Sequence, residues 1–391
     1  MCDDLKVTSS AIFSGPDAVN KFIDSLDRYE DTAMAISQLG PFFDSNESWS
    51  GEQLNQRILI SINDIIDKRS QRRLDVVQRV IFNHIKPYFS NQHKSVNADT
   101  GRVRMRDLAN EHIDSIDAPA WKTHKFGIWG TLALLMSITD VSQCWFMFLP
   151  PTMSMLDDPE PFFKVRGVRL ARMLIDTLDS KLINQAGLRT LWESSFSTAL
   201  TFFAQDHGPE LLIGAVEATL ALYRKTTVDT ESLYKLTLDS VIQPWFYAGD
   251  KLAVLFPTFT VLPQLLEAMD INSVRFLKAI IPQINKTLLI ASPNEHSLPV
   301  QTAALDALST LIRVCEPRIH QRRVQILEGL VKAFVKDGHH PEHCSRLQYC
   351  FGVLKKTAPQ VFIFSIPSSN SDKFINALAM TSFERLNSQT T

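Results

Sequence analysis

The chain has 391 residues, 45% of them hydrophobic and 21% charged, enough apolar side chain for one extended core or two compact ones, so disorder is not the expected state. Forty Lys and Arg against forty-two Asp and Glu leave a formal charge of −2, which gives no general attraction to nucleic acid or anionic lipid. Five cysteines, at 2, 144, 315, 344 and 350, behind an acidic polar start (MCDDLKVTSS), argue against a secreted disulfide framework and for the cytoplasm or nucleus.

Helical spacing recurs almost throughout, and no stretch longer than about five residues alternates apolar with polar side chains, so the chain reads as all-α. With only 14 glycines it lacks the tight turns of a sheet protein. Four helices are expected early, over 17–25, 30–39, 51–67 and 73–88. The polar run 91–101, closed by Gly101, reads as a linker between an N-terminal helical region, 1–100, and a main array, 101–391. Phe126 to Thr139 is the most apolar stretch. Asp140 ends it short of the roughly 18–20 residues a membrane span needs, so a buried helix and no membrane partner are expected.

The segment Phe148 to Leu174 reads as one helix pair. Pro150 and Pro151 mark the start of a first helix carrying Leu149, Met153 and Leu156 on one stripe. Asp157-Asp158-Pro159-Glu160-Pro161 stops it, because each proline removes a donor and drives the preceding residue out of the α region. Val165, Val168, Leu170, Met173 and Leu174 reopen an apolar face. Further first helices are placed near Val141, Leu188, Leu236, Phe276 and Gln321, and second helices near Phe163, Pro209, Phe256, Pro299 and Glu342. That period of roughly 40–48 residues is the one expected of HEAT or armadillo units. Pro209, Pro263, Pro282 and Pro299 all read as junctions between helices. The expected fold is a HEAT/armadillo-like α-solenoid of stacked antiparallel helix pairs, an architecture that presents binding surfaces.

Candidate chemistry is sparse. Asp157 and Asp158 form a carboxylate pair, yet their place just before a helix is where carboxylates cap and favour its positive end. Arg166 and Arg169 are placed to pair with turn acids of this or the next repeat. His339, His340, His343, Cys344 and Cys350 include zinc-ligand types, but no C-x-x-C pair exists, and the cluster reads as a polar turn followed by a helix with two buried thiols. Basic runs at Arg69–Arg73, Arg102–Arg106 and Arg318–Arg323 lack interleaved aromatics and read as helix faces or partner contacts, not as a nucleic-acid site. Trp145, Phe146 and Phe148 keep helical spacing and read as core. Serine-hydrolase, phosphate-loop, dinucleotide and zinc-protease motifs are all missing from the sequence, so no enzyme, cofactor or metal is expected.

The residues Trp121-Lys122, Leu132-Ala133-Leu134-Leu135, Leu149-Pro150-Pro151 through Leu156-Asp157-Asp158, and Lys164-Val165-Arg166-Gly167 resemble the family of second Tel-two-interacting proteins, the smallest subunit of the Triple-T (TTT) co-chaperone complex. Met155 stands where that family has a leucine. The resemblance covers residues 119–225, thins out toward 315, and hardly touches the first hundred. It implies a non-enzymatic scaffold whose partners are the two larger helical-repeat TTT subunits and, indirectly, the phosphatidylinositol-3-kinase-related kinases with the Hsp-ninety and R-two-TP chaperones. The candidate partner-binding residues are Trp121, Lys122, Asp157, Asp158, Lys164, Arg166 and Arg169. A different HEAT adaptor, in nuclear transport or phosphatase targeting, fits the same architecture.

Overall fold

Amphipathic periodicity and proline punctuation produce helix after helix. The computed structural model describes residues 16–43, 51–89, 120–123, 127–290, 297–337 and 341–358, and among them every regular element is helical. The chain divides into two compact units, Met1–Asp157 with Arg169–Asp179 and Asp158–Val168 with Ser180–Thr391. The stretch 91–101, where the sequence suggests a linker, lies outside the described residues.

In the first unit the early helices form where expected: α1 (Pro16–Asp24), α2 (Thr32–Leu39), α3 (Glu52–Lys68) and α4 (Arg73–Val80), the last running on through a π-turn (Ile81–Ile85) into Lys86–Phe89. Asp31 caps α2 by accepting a 2.9 Å hydrogen bond from the Ala33 N–H. The apolar helix α5 (Trp129–Ile138) is buried on almost every side and packs on the turn at 40–43. Gly130 permits that approach, since a Cβ there would collide with the carbonyl oxygens of Gly40 and Phe43. Arg69, from the first basic run, donates to the Glu30 and Tyr29 carbonyls and to Thr32 Oγ1, while Arg73 pairs with Asp67. These arginines therefore tie the N-terminal helices together.

Next come α6 (Trp145–Leu156), which belongs to the first unit, and α7 (Pro161–Thr177), assigned to the second unit as far as Val168 and to the first from Arg169 on. The helix pairs of the second unit are α8 (Leu188–Ala199) with α9 (Gly208–Lys225), α10 (Thr230–Thr237) with α11 (Leu252–Met269), α12 (Leu277–Leu289) with α13 (Leu298–Val314), and α14 (Arg323–Asp337) with α15 (Pro341–Thr357). Second helices begin at 161, 208, 252, 298 and 341, beside the positions read from sequence. Within this unit α9, α11, α13 and α15 each pack on the next, and α12 packs on α14, so helix pairs stack as an all-α solenoid. Leu255, Phe259, Leu262, Leu305, Leu308 and Leu311 are fully buried in that stack. By length and composition Leu252–Leu289 suffices to cross a membrane, yet 56% of its apolar window is buried inside the protein, as a core helix requires.

Polar contacts recur at the repeat period. Gln264 reaches Glu217, Arg313 pairs with Glu267 at 3.2 Å, Arg346 pairs with Asp306, and Asn285 Nδ2 donates to the Gln325 carbonyl at 2.8 Å. A ladder between repeats thus exists. It uses the flanks of α9 to α15. Such exposed pairs contribute at most about 1 kcal/mol each and mainly fix register.

Several prolines correct the reading of their neighbourhoods. Pro209 and Pro299 do open helices. Pro263 and Pro282, read as junctions, lie inside α11 and α12, and Pro150 and Pro151 lie inside α6, which starts at Trp145. An interior proline costs roughly 3 kcal/mol, but burial of Leu262, Leu265 and Leu266 around Pro263 offsets it. Two π-turns, Ile81–Ile85 and Leu238–Ile242, are followed at once by Lys86-Pro87 and Gln243-Pro244. Widening the helix by one residue there accommodates the missing N–H and the ring.

Candidate partner-binding site

The turn before α7 is built by its own sequence. Asp158 Oδ1 accepts a 2.9 Å hydrogen bond from the Glu160 N–H, and the Glu160 carbonyl then accepts from Phe163 and Lys164 to begin the helix. Pro161, the first helical residue, needs no donor there. Asp158 is buried by this arrangement and Asp157 is exposed, so the aspartate pair splits into a turn-former and a surface carboxylate.

Past the turn the helix carries two cations inward. Lys164 and Arg166 are each 2% exposed. Lys164 Nζ stands 5.0 Å from the centre of the Phe202 ring, and the guanidinium carbon of Arg166 lies 3.7 Å from that of Phe162, whose carbonyl accepts a 2.7 Å hydrogen bond from Arg166 Nη1. Phe162 in turn meets Phe163 and His207 edge-on, at 5.0 and 5.4 Å. His207 is held at φ 60° with Nδ1 3.6 Å from Glu210. Burying a cation costs several kcal/mol unless it is paired, and aromatic faces return roughly 0.5–2 kcal/mol apiece. These two side chains are thus committed to the interior of the second unit. Val165 and Val168 beside them are buried as expected, Val168 against Gly214 of α9.

The remaining candidates divide by exposure. Arg169 is exposed. Trp121 is 5% exposed and stacks on Phe89 at 5.6 Å, and the half-buried Lys122 holds its Nζ 5.7 Å from the centre of the Trp121 ring. Of the seven candidates, Asp157 and Arg169 are exposed and Lys122 is half-buried, whereas Trp121, Asp158, Lys164 and Arg166 are buried.

Nucleophilic chemistry finds no support in the thiols. Burial pushes Cys315 up to about 11 and Cys350 up to about 12, each with an aspartate adding to the rise, and burial also raises Cys144. Such thiols stay protonated at neutral pH and react slowly. No group of three His, Cys, Asp or Glu side chains converges among the described residues. His339 and His340 lie outside the described residues, as does the basic run 102–106. His343 is fully buried on α15.

Phe148 is buried as read from the sequence, but Phe146, also read as core, is 56% exposed on α6, and a second aromatic cluster escaped sequence reading altogether. Trp245, Phe246 and Tyr247 are consecutive, and a helix turns through about 100° per residue, so it can bury only one of the three well. Trp245 goes inward, its indole N–H donating to Thr258 Oγ1 at 2.8 Å, while Phe246 and Tyr247 are 83% and 73% exposed. The triplet itself was the available signal.

Among known proteins, the Tti2 family matches residues 35–292. The match begins inside the N-terminal helices, well before the stretch that carries the resemblance in the sequence. No solved structure matches the chain.

Proposed function

The chain belongs to the Tti2 family, and from that premise we propose that it is a non-enzymatic scaffold subunit of the TTT co-chaperone complex. Its direct partners are the two larger helical-repeat subunits, and through them it serves the maturation of phosphatidylinositol-3-kinase-related kinases with the Hsp-ninety and R-two-TP chaperones, in the cytoplasm and nucleus. The observation that carries this reading is the family match across residues 35–292, which takes in both the N-terminal helices and the first helix pairs of the second unit. Stacked helix pairs support it, because such arrays bind through long exposed faces and not through a reaction pocket.

The main array, 101–391, carries most of the binding surface in this proposal, with Asp157, Arg169 and Lys122 on it. Affinity purification of the full chain from cells, followed by mass spectrometry, tests the assignment. Recovery of two large helical-repeat subunits in stoichiometric amounts is expected. Recovery of nuclear-transport or phosphatase components in their place would reject it.

A further inference from the structure

The second unit carries an exposed apolar row on the ends of its first helices. Phe246 and Tyr247, on the helical turn Gln243–Ala248, are the two most exposed large hydrophobic residues among those described, and their rings meet edge-to-face at 5.4 Å. Asp250, three residues on, pairs at 2.8 Å with Lys286 of α12, one helical turn before the exposed Leu289 and Ile290 at that helix's end. Lys336 of α14 donates at 2.9 Å to the Leu289 carbonyl, which brings exposed Val335 alongside in the following repeat. Three successive repeats therefore present Phe246–Tyr247, Leu289–Ile290 and Val335 in order. A two-residue aromatic step held in water by its own contact, continued by aliphatic steps, is the composition of a binding patch and not of a solvated helix face.

Spacing and charge specify the occupant. Packed helices lie about 8–10 Å apart, and seven residues of an α-helix rise about 10 Å. An α-helix laid across the row thus meets one repeat per heptad, with apolar residues at i, i+3 or i+4, and i+7. Three lysines, Lys251, Lys286 and Lys336, stand along the row, with Asp250 paired to Lys286. We infer that this row docks an amphipathic helix of a partner protein whose apolar stripe is flanked by Asp or Glu. The inference rests on the scaffold reading for the partner's identity alone.

The test uses the full-length protein with the photo-cross-linker p-benzoylphenylalanine in place of Tyr247, expressed in cells and irradiated, with the same substitution at exposed Tyr349 of α15 as control. The expected product joins position 247 to a segment whose sequence, read by mass spectrometry, repeats apolar residues at helical spacing with acidic neighbours. A peptide of that sequence should bind the wild-type chain and lose affinity about tenfold or more to the variant carrying Phe246→Ser and Tyr247→Ser, since exposed aromatic anchors dominate such contacts. Those substitutions are on the surface and should leave the melting temperature in place. Cross-linking to a second copy of this chain, to lipid or nucleic acid, or to a segment without helical spacing overturns the inference, as does a yield no higher than at position 349. A helix from a protein outside the TTT complex would leave the surface intact and reject the proposed partners. Co-purification of both large subunits with no product at 247 would reject the surface alone.

Discussion

Arg166 holds its guanidinium 3.7 Å from the centre of the Phe162 ring one helical turn back, and the same residue's carbonyl accepts its hydrogen bond at 2.7 Å. At 2% exposure the cation has little water to fall back on, so ring and carbonyl act together. Arg166→Met should lower stability by about 2–4 kcal/mol and Phe162→Leu by about 1–2 kcal/mol. Urea unfolding of both single variants and the double variant should give a coupling of about 1 kcal/mol. Simple additivity would mean that the ring contributes packing alone.

Val165 lies between those cations at 2% exposure. Val165→Asp buries a carboxylate among apolar neighbours, and a loss of several kcal/mol is expected, a large share of a domain's stability. Thermal unfolding should show a lowered or absent transition. Val165→Ala, which leaves only a small cavity, should retain one at a modestly lower temperature.

Trp245 and Thr258 form a second buried pair, the indole N–H donating at 2.8 Å to a hydroxyl that bonds onward to the Val254 and Leu255 carbonyls. Thr258→Val keeps the shape and strands the indole donor, so a loss of about 1–3 kcal/mol is expected. Trp245→Phe made in the Thr258→Val background should then cost less than Trp245→Phe alone in the wild type, because the stranded donor is gone. Chemical denaturation followed by circular dichroism reads this difference.

Cys350 combines burial with a 3.3 Å hydrogen bond from its Sγ to the Leu305 carbonyl, and its thiol is pushed up to about 12 from an ordinary 9.0. A raised folded-state value means the folded chain keeps a proton that the unfolded chain loses. The resulting stability is complete below pH 9 and drains away as pH rises toward 12. Unfolding measured over that window should show a decline that Cys350→Ala makes shallower. At pH 8, thiol labelling read peptide by peptide should modify the half-buried Cys344 well before Cys144, Cys315 or Cys350.

Local chemistry was enough to place most helices. Second helices read at Phe163, Pro209, Phe256, Pro299 and Glu342 begin at 161, 208, 252, 298 and 341, because apolar periodicity and the prolines and acids at helix starts are signals carried by adjacent residues. The repeat period followed from them, and the all-α solenoid from the period. Tertiary structure decided what adjacent residues do not encode. Pro263 and Pro282 stay inside helices because packing on both sides offsets a local penalty. Lys164 looks like a surface charge until α7 meets Phe202, thirty-eight residues later in the chain, and the aspartates that look alike in sequence separate into a buried turn-former and an exposed carboxylate. Trp245 goes in and Phe246 and Tyr247 stay out because a helix offers its neighbours one face, and which face that is depends on where α11 packs. Sequence by itself determined the succession of helices, since that is settled within a few turns of chain. Burial, and with it the surface left for a partner, was decided only when helices some forty residues apart came together.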